Sequence, residues 1–219
     1  PNLLDSASNL HAALLPREFS ARDLLGSTLA AIERLDPAVN AIVQKDAASA
    51  WRGARNWDAR IARGDARPLE GLPVTIKDCF EVAGMVTSAG APALQNYTPK
   101  EDPKEDANAV ARLPAGAILL GKTNVPIFTA DFQTYDSIYG TTNNPWNQDL
   151  PPWVLGGAAA AIATGMCALE LGSDLGGSIR WPAHCCGTFG LKTTWNLVST
   201  YGHIPSMPEL RLELNPELL

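Results

Sequence analysis

Two residues in this chain have the type and setting to do chemistry. Ser178 follows paired glycines in Gly172-Ser173-Asp174-Leu175-Gly176-Gly177-Ser178-Ile179-Arg180, at what reads as a helix start. Glycines let a main chain approach a reacting carbonyl closely, and the unpaired amides of a first helical turn can hold the oxyanion of a tetrahedral intermediate. A serine beside such amides suits a nucleophile in acyl transfer, although a Gly-rich turn capped by serine has the same composition. Lys77 lies about a hundred residues earlier, at the end of the apolar, β-branched run Leu72-Pro73-Val74-Thr75-Ile76. Such a lysine is expected to be partly buried, and burial favours the neutral amine, a usable base for a hydroxyl. A strand-end lysine that snorkels to solvent is the structural alternative.

The order and flanks of these two segments resemble the amidase signature family, which uses a serine nucleophile, a bridging cis-peptide serine and a lysine. The resemblance runs through Gly71 to Asp78, Gly121-Lys122-Thr123-Asn124-Val125-Pro126 and Gly140-Thr141-Thr142-Asn143-Asn144-Pro145-Trp146. It continues through the long segment from Gly156 past Ser178 to Pro182-Ala183-His184 and Gly187-Thr188-Phe189-Gly190-Leu191-Lys192. It implies that Ser178 attacks an amide carbonyl, that neutral Lys77 takes the proton, and that water then releases the acid. It also implies an oxyanion hole from the amides of Leu175, Gly176, Gly177 and Ser178. Asp174 and Arg180 would pair to hold the loop, with Ser173 supporting from behind.

One departure stands out. The family carries Gly-Gly-Ser-Ser-Gly-Gly some two dozen residues before the nucleophile, where this chain reads Pro152-Trp153-Val154-Leu155-Gly156-Gly157. The position of the bridging serine falls on Val154 and its serine neighbour on Leu155, and neither side chain can accept or pass a proton. Loss of a positioned proton-transfer group typically costs about 10²- to 10⁴-fold in rate. Three readings are open: an inactive relative, an enzyme that recruits another hydroxyl such as Ser88, Thr141 or Ser173, or a locally altered sequence between two matching flanks.

Around the motifs, the chain alternates helix and strand. Ser20 is placed to cap a helix to about Leu35, with Asp23 completing a capping box and Leu24, Leu25, Leu29, Ile32 and Leu35 as its apolar stripe; Asp36-Pro37 is expected to stop it. Val39 to Val43 reads as a strand, Ala47 to about Arg63 as a helix ended by Gly64, and Leu72 to Ile76 as a buried strand leading into Lys77. Asn108 to Leu113, Ala117 to Leu120, Gly157 to Thr164 and Cys167 to Leu171 continue as helix, strand, helix, strand, while Lys100 to Asp106 reads as a solvated loop. The pattern predicts an α/β fold with a mixed, largely parallel central sheet flanked by helices, and chemistry at its strand ends.

The 219 residues, 46% hydrophobic and 18% charged, are enough for one substantial core and read as a single domain over 1–219. Members of the family are about twice as long, so the C-terminal half of the fold is expected to be absent. The apolar surface and edge strands left uncovered argue against an independent monomer. The partners expected are a small amide substrate and, for the chain itself, a homodimer. A net charge of -6 leaves no basic face, so nucleic-acid binding by this chain alone is not expected.

Leu150 to Leu169 carries no charge over eighteen residues between its ends, but Pro151, Pro152, Gly156, Gly157 and Gly165 interrupt it, so a buried helix is expected in place of a membrane span. Pro1 to Leu15 lacks the charged start and apolar core of an export signal, which points to the cytoplasm. Cys79, Cys167, Cys185 and Cys186 lack paired spacing and read as small core residues. His184 beside Cys185 and Cys186 lacks the second ligand pair of a zinc site, and neither metal nor cofactor is expected. Three functions follow: an amide hydrolase, the glutaminase component of a tRNA-dependent amidotransferase, or an inactive amidase-like scaffold.

Overall fold

The structure, a computed structural model, describes residues 1–99, 116–147, 156–195 and 197–205. Val154 and Leu155 lie outside these residues, as do the expected helix over 108–113 and the loop over 100–106.

Helix α1 (Ala7–Leu14) begins on Ser6, whose side chain accepts the amide of Asn9. Helix α2 (Ala21–Val39) starts with the expected capping box, in which the Ser20 side chain takes the Asp23 amide and the Asp23 carboxylate takes that of Ser20. It does not stop at Pro37. Proline removes one amide, but within the last turn few hydrogen bonds depend on it. Asn40 closes the helix in the left-handed conformation, and Asp36 Oδ1 accepts the amides of Ala41 and Ile42, turning the chain into β1. Strand β1 (Ile42–Lys45) consequently starts later than the apolar run suggests. Helix α3 (Ala47–Ala62) is capped by Asp46, and the chain turns at Gly64.

Strands β2 (Pro73–Lys77), β3 (Ile118–Thr123) and β6 (Leu169–Leu171) join β1 in a four-stranded sheet of order β1-β3-β2-β6. β2 lies parallel to both β3 and β6, and only β1 runs antiparallel, against β3. This is the mixed, largely parallel sheet that the alternation of elements predicts. A short ribbon of β4 (Tyr135–Asp136) and β5 (Gly140–Thr141), not expected from the sequence, precedes helix α4 (Gly157–Ala163).

Gly157 opens α4 where only a glycine fits, because a Cβ there would lie 2.7 Å from the Asn124 amide and 2.8 Å from the Ala41 carbonyl oxygen. The helix thereby seats against the ends of β1 and β3. Helix α5 (Arg180–Cys186) packs on α4, with Cys186 and Ala159 buried between them.

The main core gathers Leu10 and Leu14 of α1, Leu24, Leu25 and Ile32 of α2, Ala50, Ala54 and Ile61 of α3, and Val74, Ile118 and Leu120 of the sheet. Full burial of each large aliphatic side chain contributes about 1.5–3 kcal/mol, so this layer fixes the sheet that carries Lys77. Beyond α5 the chain is different: Phe189, Leu191, Trp195 and Leu197 are all exposed. Among the described residues no helix is long and apolar enough to cross a membrane.

Candidate active site

Lys77 is the last residue of β2, one of the two strands flanked on both sides, and it is only 6% exposed. Alternation along the strand puts Thr75 and Lys77 on one face. The neighbouring register sets Thr123 beside Lys77 and Glu170 beside Thr75. The Glu170 carboxyl accepts the Thr123 hydroxyl at 2.6 Å and pairs with that of Thr75. Burial raises its pKa to about 7, against the lowering influence of the two hydroxyls and Lys77.

Behind the strand end, Asp78 and Lys122 form a fully buried ion pair at 2.8 Å. Ser88 donates its hydroxyl to Asp78 Oδ2 at 2.5 Å, and Lys122 donates to Thr87 Oγ1 and the Val86 carbonyl. The Asp78 amide donates to the Thr123 carbonyl. Lys77 thus sits on a backbone tied to β3 and to the loop over 86–90.

Ser178 lies in the loop between β6 and α5, and Asp174 organises that loop. Its carboxylate accepts the amides of Gly177 at 2.8 Å and of Ile179 and Arg180 at 3.2 Å, and takes the Arg180 guanidinium through two bonds of 2.9 Å. Burial alone would raise its pKa, but Arg180 and the three amides outweigh burial and hold it at about 2. Gly177 has φ +129°, a conformation that favours glycine, and a Cβ there would approach Phe132 and Trp181.

The expected residues therefore meet unequally. Lys77, Ser173, Asp174, Leu175 and Ser178 line one cavity of about 530 Å³, together with Glu170, Ile179, Phe189, Trp195 and His203. Asp174 and Arg180 pair as expected. The Gly177 amide, expected at the oxyanion hole, points to Asp174. Among the described residues the amides of Leu175, Gly176 and Ser178 take no hydrogen-bond partner. No hydrogen bond joins Lys77 to Ser178 among those residues either. The Lys77 amine donates to the Ser173 carbonyl and to Ser173 Oγ, both at 3.3 Å.

Two neighbours were not foreseen. His203 Nε2 lies 2.8 Å from Ser173 Oγ and 3.3 Å from Cys79 Sγ, and its ring meets Phe80 edge-on. Burial alone would raise the Cys79 pKa, but the Lys77 charge and the His203 contact leave it below the ordinary value. Burial would lower that of His203, but Cys79 and the Pro205 carbonyl leave it above the ordinary value. The sequence signals were thin: an acidic residue within Leu169-Glu170-Leu171 and a histidine in Tyr201-Gly202-His203-Ile204. His184 is exposed and Cys185 half-buried.

An α/β sheet with a buried strand-end lysine, facing a Gly-Gly-Ser loop across a shared cavity, is a scaffold suited to serine-based acyl transfer. The chain belongs to the amidase family, whose profile matches residues 23–213. Among curated relatives, it is 46% identical to the A subunit of the glutamyl-tRNA(Gln) amidotransferase of Roseiflexus castenholzii, over 84% of this chain and 37% of the relative. It is 44% identical to the protein of the same name from Geotalea daltonii, over 89% of this chain and 40% of the relative.

Among solved structures, the peptide amidase of Stenotrophomonas maltophilia superposes with a TM-score of 0.82 at 33% identity, over 91% of this chain and 42% of that one. A chain from a vestigial protein complex tied to the origins of an s-triazine catabolic enzyme superposes with a TM-score of 0.84 at 37% identity, over 91% of this chain and 44% of that one. The chain thus spans about two fifths of the length of the curated relatives it matches.

Proposed function

We propose that this chain carries the nucleophile and base of an amide-hydrolysing site acting on a small carboxamide. In this reading Ser178 Oγ attacks the carbonyl carbon and its proton passes towards Lys77. The amine or ammonia leaves, and water then cleaves the acyl-serine to release the acid. The amides of Leu175, Gly176 and Ser178 receive the oxyanion, with that of Gly177 joining if it exchanges its bond to Asp174 for one to the substrate. Asp174 and Arg180 hold the loop. The observation that carries the reading is the common cavity of buried Lys77 and Ser178. Hydrolysis of an activated ester tests it: Ser178→Ala should abolish turnover and Lys77→Ala should slow it, and an unchanged rate in Lys77→Ala would remove Lys77 from the mechanism.

A second reading is supported by the curated relatives named above: a glutaminase component that works on glutamine within an amidotransferase complex. It predicts ammonia release from glutamine that depends on co-purifying partner chains, whereas the first predicts turnover of simple carboxamides without them. Val154 and Leu155 favour slow turnover in both.

A further inference from the structure

The side chains around Ser173 form a directed chain of hydrogen bonds. His203 Nδ1 lies 2.9 Å from the Pro205 carbonyl oxygen. A carbonyl can only accept, so Nδ1 carries the proton, and in the neutral ring Nε2 is left as an acceptor. Nε2 is 2.8 Å from Ser173 Oγ, so the Ser173 hydroxyl donates to it. The Lys77 amine, in turn, donates to Ser173 Oγ at 3.3 Å. Lys77 and His203 are both buried, and each lines the cavity that holds Ser178.

We propose that His203, acting through the hydroxyl of Ser173, is a second proton site for Lys77, so that the base of this chain is a relay Lys77–Ser173–His203 and not a lone amine. The inference rests on the reading of Lys77 as the base. The step balances without a further reactant. A proton on the Lys77 ammonium moves to Ser173 Oγ while the hydroxyl's own proton moves to His203 Nε2. The products are a neutral amine, an intact serine hydroxyl and an imidazolium. His203 makes no contact with the reacting carbon and is a positioning and proton-holding residue. The gain is specific to this chain, because Val154 and Leu155 supply no bridging hydroxyl and the amine's hydroxyl partner is Ser173.

Other titratable groups bear on the relay. Cys79, two residues beyond Lys77, lies 3.3 Å from Nε2 and 3.6 Å from Ser173 Oγ. Glu170 of β6 feels the Lys77 charge, which lowers its pKa. Asp174 adjoins Ser173 but is neutralised by Arg180, and Asp78 by Lys122. Lys192 lines the outer part of the cavity. A histidine that only feels the Lys77 charge through space would keep its response to Lys77 when the Ser173 hydroxyl is removed.

Nitrogen-15 NMR of the imidazoles in the full chain decides between these roles. There are three histidines, His11, His184 and His203, and His203→Gln assigns the third signal. The relay requires the Nδ1–H tautomer in neutral His203. It also requires that Lys77→Met, which removes the amine at similar length, raise the His203 midpoint by about one pH unit or more, a tenfold gain in proton affinity. Lys77→Arg, which keeps the cation, should leave the midpoint at or below the wild-type value, and Ser173→Ala should erase most of the difference between wild type and Lys77→Met. Cys79→Ala should preserve that difference.

An Nε2–H tautomer, a midpoint indifferent to Lys77→Met, equal midpoints in the Met and Arg variants, or a Lys77→Met difference that survives Ser173→Ala would overturn the relay. None of these readouts needs turnover. A chain that never acylates Ser178 would sink the hydrolase reading and leave this test intact, while an uncoupled His203 in a chain that does acylate would sink only the relay.

Discussion

Lys77 donates to Ser173, at 3.3 Å from both its carbonyl oxygen and its hydroxyl, and among the described residues no hydroxyl links it to Ser178. The amine and the nucleophile share a cavity without sharing a hydrogen bond. If the missing member is the hydroxyl lost at Val154, restoring it should accelerate the chemistry. The double substitution Val154→Ser and Leu155→Ser should raise the rate of Ser178 acylation by an activated ester by about 10²- to 10⁴-fold. Adding Lys77→Ala to the double variant should cancel most of that gain. Stopped-flow release of the ester's leaving group reads both, and no gain would mean that another group already passes the proton.

Glu170 makes stability depend on pH. Its folded pKa is about 7 against 4.5 for the free side chain, so the folded state holds a proton that the unfolded state has already released. This contribution is fully present below pH 4.5 and declines as pH rises through about 7. The whole effect is on the order of 3 kcal/mol. Glu170→Gln mimics the protonated form and should flatten the decline, making the variant more stable than wild type at pH 8 and about equal to it at pH 4. Urea unfolding at several pH values measures this, and parallel curves for the two proteins would contradict it.

The buried pair of Lys122 and Asp78 should matter most when half broken. Lys122→Met leaves the Asp78 carboxylate without its counter-ion in a site closed to water, held among the described residues by the Ser88 hydroxyl and amide alone, a loss of about 3–5 kcal/mol in comparable buried pairs. Because the Asp78 amide is tied to Thr123 and Lys77 precedes it, the variant should also weaken activity beyond its loss of stability. The denaturant midpoint gives the first quantity. Activity well below the unfolding transition gives the second.

Much of this architecture was legible in the sequence because it is local. The Ser20 and Asp23 box, the helix from Ala47 ended by Gly64 and the β-branched run before Lys77 each state their structure within a few residues. Pro37 misled because the cost of a proline depends on its place in the helix, and Asp36 reaches beyond the helix to hold the amides of Ala41 and Ile42. The loop of Ser178 could be anticipated through the family resemblance, which implies the pairing of Asp174 with Arg180. His203 could not, since it meets Ser173 across 30 residues and Cys79 across 124. A contact of that range leaves no spacing to read. Glu170 likewise acquires its partners only when β2 is laid beside its strand and β3 beyond β2.

The loop itself gives a third check on the site. Asp174→Asn keeps the shape but gives up the charge that grips Arg180 and three amides, and it should reduce Ser178 acylation by about 10- to 100-fold while leaving the fold intact. Circular dichroism and the acylation rate together read this outcome. A variant that acylates at the wild-type rate would show that the loop holds its shape without the pair.

The proposed chemistry turns on Ser178 as a nucleophile. The direct measurement is treatment of the protein with a fluorophosphonate probe, followed by intact mass and peptide mapping. One adduct is expected, on the peptide that carries Ser178, absent in Ser178→Ala and slower to form in Lys77→Ala. An unmodified protein, or an adduct on another residue, would contradict this and leave the chain as an amidase scaffold without the chemistry.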